Sequence, residues 1–478
     1  MLISLLGRVL QFIIAFASVR IMTQLLSPAQ MGVFALITTA TSFFALFFIN
    51  PVGMFFNRRL HAWLSGGYAK QRFSLYVVYM LGVSCFAAIL ISICHVIGVF
   101  IGGISLFWFV ILVCGSLIFN TAIQTLVPSL NMIDRHGAFA VLNLAVLLLG
   151  LFISVFFSAF IRPTAEMWLL GTLLSQVVCS AVAYKIFFGK VVTNSSIPLW
   201  VNSSQFEHVT RFCWPIAIAV LLQWLHMQGY RFFLADSFGI AQLGLYSAGY
   251  GIASSLMSAA ETIFTTWFQP QFYKDVNAAC STQRNRAWAR YAEVMIPSSL
   301  LFLSALIAAS PALPRLMLGS AFHDVGQFIV LGALAEWTRV MVGIVSLNAH
   351  RHMTTKLLIA PNAIGAAGAY IVLFALLNNF GIVAAPVAVF VGGVAVFLYM
   401  YKIAYAGDVN AKLEMSKLAL MSFFLTLSTA LFLWLQSSII AQPDFFASLL
   451  VCIGIGAVWA TVGWYFLKSV LIDKVRLK

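Results

Sequence analysis

Charge is what this sequence has least of. Asp, Glu, Lys and Arg make up 8% of its 478 residues, where a soluble globular domain carries about 25%. That scarcity excludes a soluble multidomain enzyme, because too few polar side chains exist to cover its surface. A hydrophobic content of 62% excludes disorder, which needs low hydrophobicity. Cysteines are few and poorly spaced for chemistry. Cys85, Cys94, Cys114, Cys179, Cys213, Cys280 and Cys452 lie mostly in apolar runs, with no CxxC or Cys/His ligand spacing. Free thiols and no metal site are expected. No G-x-x-x-x-G-K-[ST] loop occurs, so the chain brings no ATP machinery of that kind. Acidic residues are the scarcest, 13 against 27 basic ones, for a net charge of +14.

What is present is apolar length. A spanning helix needs roughly 20 mainly apolar residues. Fourteen stretches qualify: 4–26, 31–53, 74–100, 104–128, 138–160, 167–189, 213–235, 243–268, 291–312, 325–347, 356–378, 382–402, 417–438 and 446–467. They are too long and too irregular in alternation for the strands of a barrel. The opening MLISLLGRVLQFIIAFASVRIM has no basic leader region and is followed by many further spans, so it reads as the first helix rather than a signal peptide. The expected class is an all-α polytopic membrane protein.

Charge placement then sets the orientation. With the N-terminus in the cytoplasm, most of the 27 basic residues fall in cytoplasmic connections and the C-terminal tail. Only Arg162 and Arg315 fall outside, and Arg8, Arg20, Arg231 and Arg339 fall within spans. This is the positive-inside distribution, with both termini cytoplasmic. The basic excess is thus an orientation signal with a contribution from anionic lipid contact, and nucleic-acid binding is not expected. External connections are too short for an enzyme domain. The longest polar stretches, 54–73, 190–212 and 269–290, face the cytoplasm, and the later half of the second reads as an interfacial amphipathic helix.

Two segments resemble each other. RIMTQLLSPAQMGVFA, beginning at Arg20, and RFFLADSFGIAQLGLYSA, beginning at Arg231, share an Ala-Gln-apolar-Gly-apolar-aromatic core. Ala29, Gln30, Gly32 and Phe34 match Ala241, Gln242, Gly244 and Tyr246, and Ser42 matches Ser254. Each segment turns between the first two spans of a half. Six spans per half follow, in a parallel repeat of the kind some transporters use. The expected organisation is 1–190 for the first six-helix lobe, 191–212 for a cytoplasmic linker, 213–405 for the second lobe, and 406–478 for two further spans and a basic tail.

The N-terminal LLGRVLQFIIAFASVRIMTQLLSPAQMGVFAL resembles the start of bacterial Wzx-type polysaccharide flippases. The later FCWPIAIAVLLQWLHMQGYRFFLADSFGIAQLGLYSAGYGIAS is similar to their second-half pattern through Pro215, Trp224, Arg231, Gly244, Tyr246, Ala248 and Tyr250. The resemblance implies the multidrug/oligosaccharidyl-lipid/polysaccharide exporter fold, two pseudo-symmetric six-helix lobes in a V around a central cavity. It implies a flippase for undecaprenyl-diphosphate-linked oligosaccharide in the bacterial inner membrane, working by alternating access and making or breaking no bond. Many Wzx members have twelve spans. The two extra spans here resemble lipid II flippases, which keeps lipid II as an alternative substrate. A multidrug cation antiporter is a second alternative on the same fold. No cofactor is implied, and a proton or sodium gradient is an open choice of driving force. The polysaccharide polymerase and chain-length machinery are the implied protein partners, and the monomer is the implied functional unit.

Charged groups inside a membrane are costly and usually face a bundle interior or a hydrated cavity. Arg20 and Arg231 occupy equivalent depths in equivalent helices. Arginine binds phosphate oxygens bidentately, so the pair suits a diphosphate, with snorkelling to the outer interface as the structural alternative. Arg58 and Arg59, at the cytoplasmic end of the second span, are candidates for diphosphate capture or for orientation alone. Glu336 and Arg339 have the spacing of an intrahelical pair. With Glu261 and His226 they are candidates for gating or ion coupling. Gln223, Trp224, Gln228, Tyr246, Tyr250, Asn120, Gln124 and Asn143 are candidate glycan contacts, although Trp and Tyr also anchor helices at interfaces. A cation exporter would favour acidic groups where this chain has Arg20 and Arg231.

Overall fold

The computed structural model describes residues 2–98, 103–189, 203–276, 281–350, 359–405, 423–434 and 445–476. Most of the expected 191–212 linker lies outside these residues, as do Cys280, Lys190, Arg351, Lys356, Lys412, Lys417 and Lys478. Every regular element among the described residues is helical. Ten helical stretches among them are long and apolar enough to cross a membrane, counting Ile359–Lys402 as one. Leu10–Leu25 and Phe423–Trp434 are shorter apolar helices. The chain is thus an all-α polytopic membrane protein, divided into two compact units, Met1–Gly244 and Leu245–Lys478.

The first unit contains α1 (Leu2–Leu25), α2 (Pro28–Ser65), α3 (Ala69–Val96), α4 (Leu106–Ile133), α5 (His136–Phe160) and α6 (Ala165–Phe188). It ends with α7, which runs Ser203–Trp224, a π turn at Leu225–Gly229, and Tyr230–Phe238. Local chemistry sets these boundaries. Ser27 caps α2 by accepting from the Gln30 N–H, and Pro28 follows where its missing donor is harmless. Thr164 caps α6 in the same way, and Gln30 Oε1 accepts from the Ala165 N–H at 2.8 Å. One glutamine thus ties the first turns of α2 and α6 together.

Helix α2 widens into a π turn at Ala45–Ile49, immediately before Asn50-Pro51. Proline lacks an N–H and its ring crowds the carbonyl four residues back; the wider turn accommodates both. The Tyr79 hydroxyl donates to the Phe48 carbonyl at 2.8 Å. Helices α5 and α6 pack through small residues, as membrane helices do when backbones approach closely. A Cβ on Gly171 would lie 2.4 Å from the Ser154 backbone, and Ser154 Oγ donates to the Trp168 carbonyl at 2.7 Å. The opposite face of α5 leaves Phe152, Phe156 and Phe160 exposed, as a lipid-facing surface requires.

Helix α8 (Ile240–Val276) begins at the end of the first unit. There the two glycines of the repeated motif each receive the other motif's backbone. A Cβ on Gly32 would sit 2.0 Å from the Ile240 oxygen, and one on Gly244 would sit 1.8 Å from the Pro28 oxygen. Only glycine fits at either position, which explains why the repeat keeps both. Gly32→Ala and Gly244→Ala are each expected to lower stability by about 1–3 kcal/mol, the usual range for overpacking. The double variant is expected to lose less than the sum, because the first methyl already separates the helices. Thermal unfolding in detergent measures all three; strict additivity would mean that the two glycines do not share one contact.

The second unit carries the rest of α8, then α9 (Ser281–Ala309), a short helix Leu313–Met317, α10 (Gly326–His350), α11 (Ile359–Phe380) and α12 (Ala384–Tyr405). It closes with α13 (Phe423–Trp434) and α14 (Phe445–Arg476). Its core is tied by indole donors. The fully buried Trp288 of α9 donates to the Ile344 carbonyl of α10 at 3.0 Å. Trp459 of α14 donates to Ser304 Oγ of α9 at 2.7 Å and packs its ring against Phe424 of α13. Helices α10 and α12 cross closely at Gly393, which faces Thr338.

Candidate transport site

The membrane-embedded polar groups fall into separate clusters within the two units. In the first unit, α2 and α7 meet through side chains. Ser42 Oγ accepts from Trp224 Nε1 at 2.9 Å and donates to Gln228 Oε1 at 2.8 Å. Arg231 Nη1 donates to Thr39 Oγ1 at 3.5 Å. Phe43 packs on the Trp224 ring, centroid to centroid 5.0 Å. Arg20 and Arg231 are both half-buried, in α1 and α7. His226, inside the π turn, is buried, while Gln223 is exposed. The structure thus brings Trp224, Gln228 and Arg231 onto the same partner helix. It adds Thr39 and Ser42, which were not among the expected site residues. The match between Ser42 and Ser254 was the one sequence signal pointing at either.

Arg58 and Arg59 lie exposed in the last turns of α2, beside the early turns of α7. The Arg58 guanidinium sits 5.8 Å from the Phe212 ring centroid and that of Arg59 sits 5.7 Å from Phe55. Arg59 Nη2 is 3.3 Å from His208 Nε2. Both charges therefore rest on an aromatic shelf built by α2 and α7. Of the remaining candidates, Asn120 is half-buried in α4 and Gln124 is exposed on it. Asn143 of α5 spends one amide hydrogen on the Phe139 carbonyl of its own helix.

The second unit holds an ionic network. Arg339 of α10 donates through Nε to Glu336 Oε2 at 2.6 Å. Through Nη2 it reaches Glu261 Oε2 of α8 at 2.9 Å and Ser258 Oγ at 3.3 Å. The Tyr250 hydroxyl donates to Glu336 Oε1 at 2.8 Å. Glu336 is thus bonded on both oxygens and only 3% exposed, whereas 27% of the Glu261 side chain is exposed. Charge-assisted bonds of this geometry are what makes burial of such groups tolerable. Glu261 has no charged neighbour in sequence; the fold supplies one from α10.

Tyr250 therefore spends its hydroxyl on Glu336. Tyr246 is fully buried, 5.6 Å from the Phe328 ring and 5.7 Å from Tyr250. Neither ring offers an open face to a sugar in this conformation. Among the described residues, no group of three or more His, Cys, Asp or Glu is arranged to hold a metal ion.

Apolar helices of membrane length with arginines and an ionic network embedded among them define a polytopic helical membrane protein. Residues 21–326 match the family described as polysaccharide biosynthesis protein, and the chain belongs to that family. Among solved structures, the fold is similar to the lipid II flippase MurJ in an inward closed conformation. That likeness has a TM-score of 0.64 at 13% identity and covers 98% of each chain. The fold is also similar to the Vibrio cholerae MATE transporter VcmN, with a TM-score of 0.53 at 14% identity over 84% of this chain and 95% of that one. No curated protein matches the chain in sequence.

Proposed function

We propose that this protein is a flippase that moves a polyprenyl-diphosphate-linked saccharide from the cytoplasmic to the outer leaflet of a bacterial inner membrane by alternating access. The observation that carries the reading is the pair of half-buried arginines, Arg20 and Arg231, in apolar helices of one unit. A guanidinium held among apolar helices suits an anionic, phosphate-bearing ligand better than an organic cation. Arg58 and Arg59 are the proposed capture site for the diphosphate at the cytoplasmic face. Gln223, Trp224, Gln228, Asn120, Gln124 and Asn143 are the proposed contacts of the saccharide. The chain is read as fourteen spans, two six-helix lobes and a C-terminal pair, with both termini cytoplasmic. No bond is made or broken.

Two substrates of this class stand apart by their sugar. Membership of the polysaccharide family supports an oligosaccharide repeat unit. The likeness to a lipid II flippase over 98% of both chains supports lipid II, and of the two it is the more extensive match. For coupling, the partly exposed Glu261 beside Arg339 is the proposed site for a proton or sodium ion, with His226 as the second candidate. The test is leaflet exchange in proteoliposomes containing undecaprenyl-diphosphate oligosaccharide, lipid II or an organic cation. Protein-dependent exchange of a diphosphate lipid without cation transport is the expected result, and the preferred lipid names the pathway. Cation transport without lipid exchange would replace this reading with drug export.

A further inference from the structure

Trp224, Gln228 and Arg231 are spaced four and three residues apart, so they project from one side of α7. Thr39 and Ser42, three apart, meet them from α2. The contacts are not equivalent. Trp224 is 8% exposed, clamped by its N–H bond to Ser42 and by the Phe43 ring. Gln228 is half-buried and lies within the π turn Leu225–Gly229. A second π turn, Ala45–Ile49, starts three residues after Ser42. Such turns are concentrated at functional sites because they re-aim the residues beside them.

The decisive feature is the single proton of the Ser42 hydroxyl, which has two acceptors. Gln228 Oε1 and the Thr39 carbonyl each lie 2.8 Å from Ser42 Oγ. A saccharide hydroxyl that takes the Gln228 carbonyl therefore leaves no donor stranded, since Ser42 turns to Thr39 while still accepting from Trp224. Buried polar groups are expensive only when left unbonded, so Gln228 is released at little cost.

We propose that Ser42 is a positioning residue for saccharide recognition, fixing the Trp224 indole and presenting the Gln228 amide to the sugar. Thr39 aligns Arg231 from the same face. This rests on the reading above that the substrate is a polyprenyl-diphosphate-linked saccharide. Neither a merely structural hydroxyl nor a direct sugar contact predicts the same pattern of variants.

The experiment is leaflet exchange of a defined undecaprenyl-diphosphate oligosaccharide and of lipid II in proteoliposomes, with the unfolding midpoint of each variant recorded. For whichever lipid the wild type moves, Ser42→Ala is expected to raise the half-saturating concentration about tenfold, the scale of one net hydrogen bond. The maximal rate should stay within about twofold, since the hydroxyl organises the ground-state site. Ser42→Thr should restore most of the loss. In a Gln228→Ala background the added effect of Ser42→Ala should shrink to about threefold or less, because the Gln228 contact is already gone and only that to Trp224 remains. Wild-type half-saturation in Ser42→Ala would overturn the proposal, as would full additivity with Gln228→Ala or a fall in maximal rate that tracks the unfolding midpoint. A wild-type chain that exchanges neither lipid would overturn the functional reading and this proposal with it.

Discussion

Replacing both Arg20 and Arg231 by Ala is expected to slow exchange of a polyprenyl-diphosphate saccharide by about 100-fold or more. Each charge-assisted hydrogen bond to a phosphate contributes about 1.5–3 kcal/mol, so two lost contacts reach at least about 3 kcal/mol, and 1.4 kcal/mol is tenfold. Lysine at either position should retain the charge but lose bidentate geometry, leaving an intermediate rate. The double variant should fold, because both side chains are half-buried rather than fully enclosed. Initial rates in proteoliposomes, normalised to folded protein, measure the effect. Wild-type rates in the double variant would remove the diphosphate role from these residues and leave snorkelling as the explanation of their position.

Arg339→Met is expected to have the largest effect on stability. It leaves Glu336, 3% exposed, with the Tyr250 hydroxyl as its remaining described hydrogen-bond donor, and removes the counter-charge of Glu261. Breaking a buried ion pair from one side costs about 3–5 kcal/mol, because the surviving charge is left without compensation. Pairing Arg339→Gln with Glu336→Gln should recover much of that loss, since two neutral amides replace the pair. Glu261→Gln alone should be mild: its side chain is 27% exposed and an amide oxygen still accepts from Arg339. Unfolding midpoints in detergent rank the variants. Equal losses for Glu261→Gln and Arg339→Met would contradict the division into a fixed carboxylate, Glu336, and an accessible one, Glu261.

The parts of the ionic network differ in how far they were readable before the fold. The Glu336–Arg339 pair was visible as an i,i+3 spacing, because helical neighbours are set by chain distance alone. The addition of Glu261 and Tyr250 was not, since they come from α8, at sequence separations of 78 and 86 residues. Tyr246 shows the opposite failure. An aromatic in a recurring motif reads equally as a sugar platform or as a core ring, and only packing against Phe328 reveals full burial. Helix α8 itself carries Ser255, Ser258, Glu261, Thr262, Thr265 and Thr266. That polar content keeps it out of the ten helices defined by apolar length, although it runs for 37 residues.

Scarcity of charge and long apolar runs were enough to establish a polytopic helical membrane protein, since the cost of burying charge in hydrocarbon acts on composition and local spacing. The repeated Ala-Gln-x-Gly motif was likewise visible in one dimension. Its purpose was not. That Gly32 and Gly244 each receive the other motif's backbone, that Gln30 ties α2 to α6, and that Ser42 of α2 joins Trp224 and Gln228 of α7 are all contacts between distant segments. Such contacts depend on crossing geometry and on which face each helix turns inward, and no local pattern encodes either.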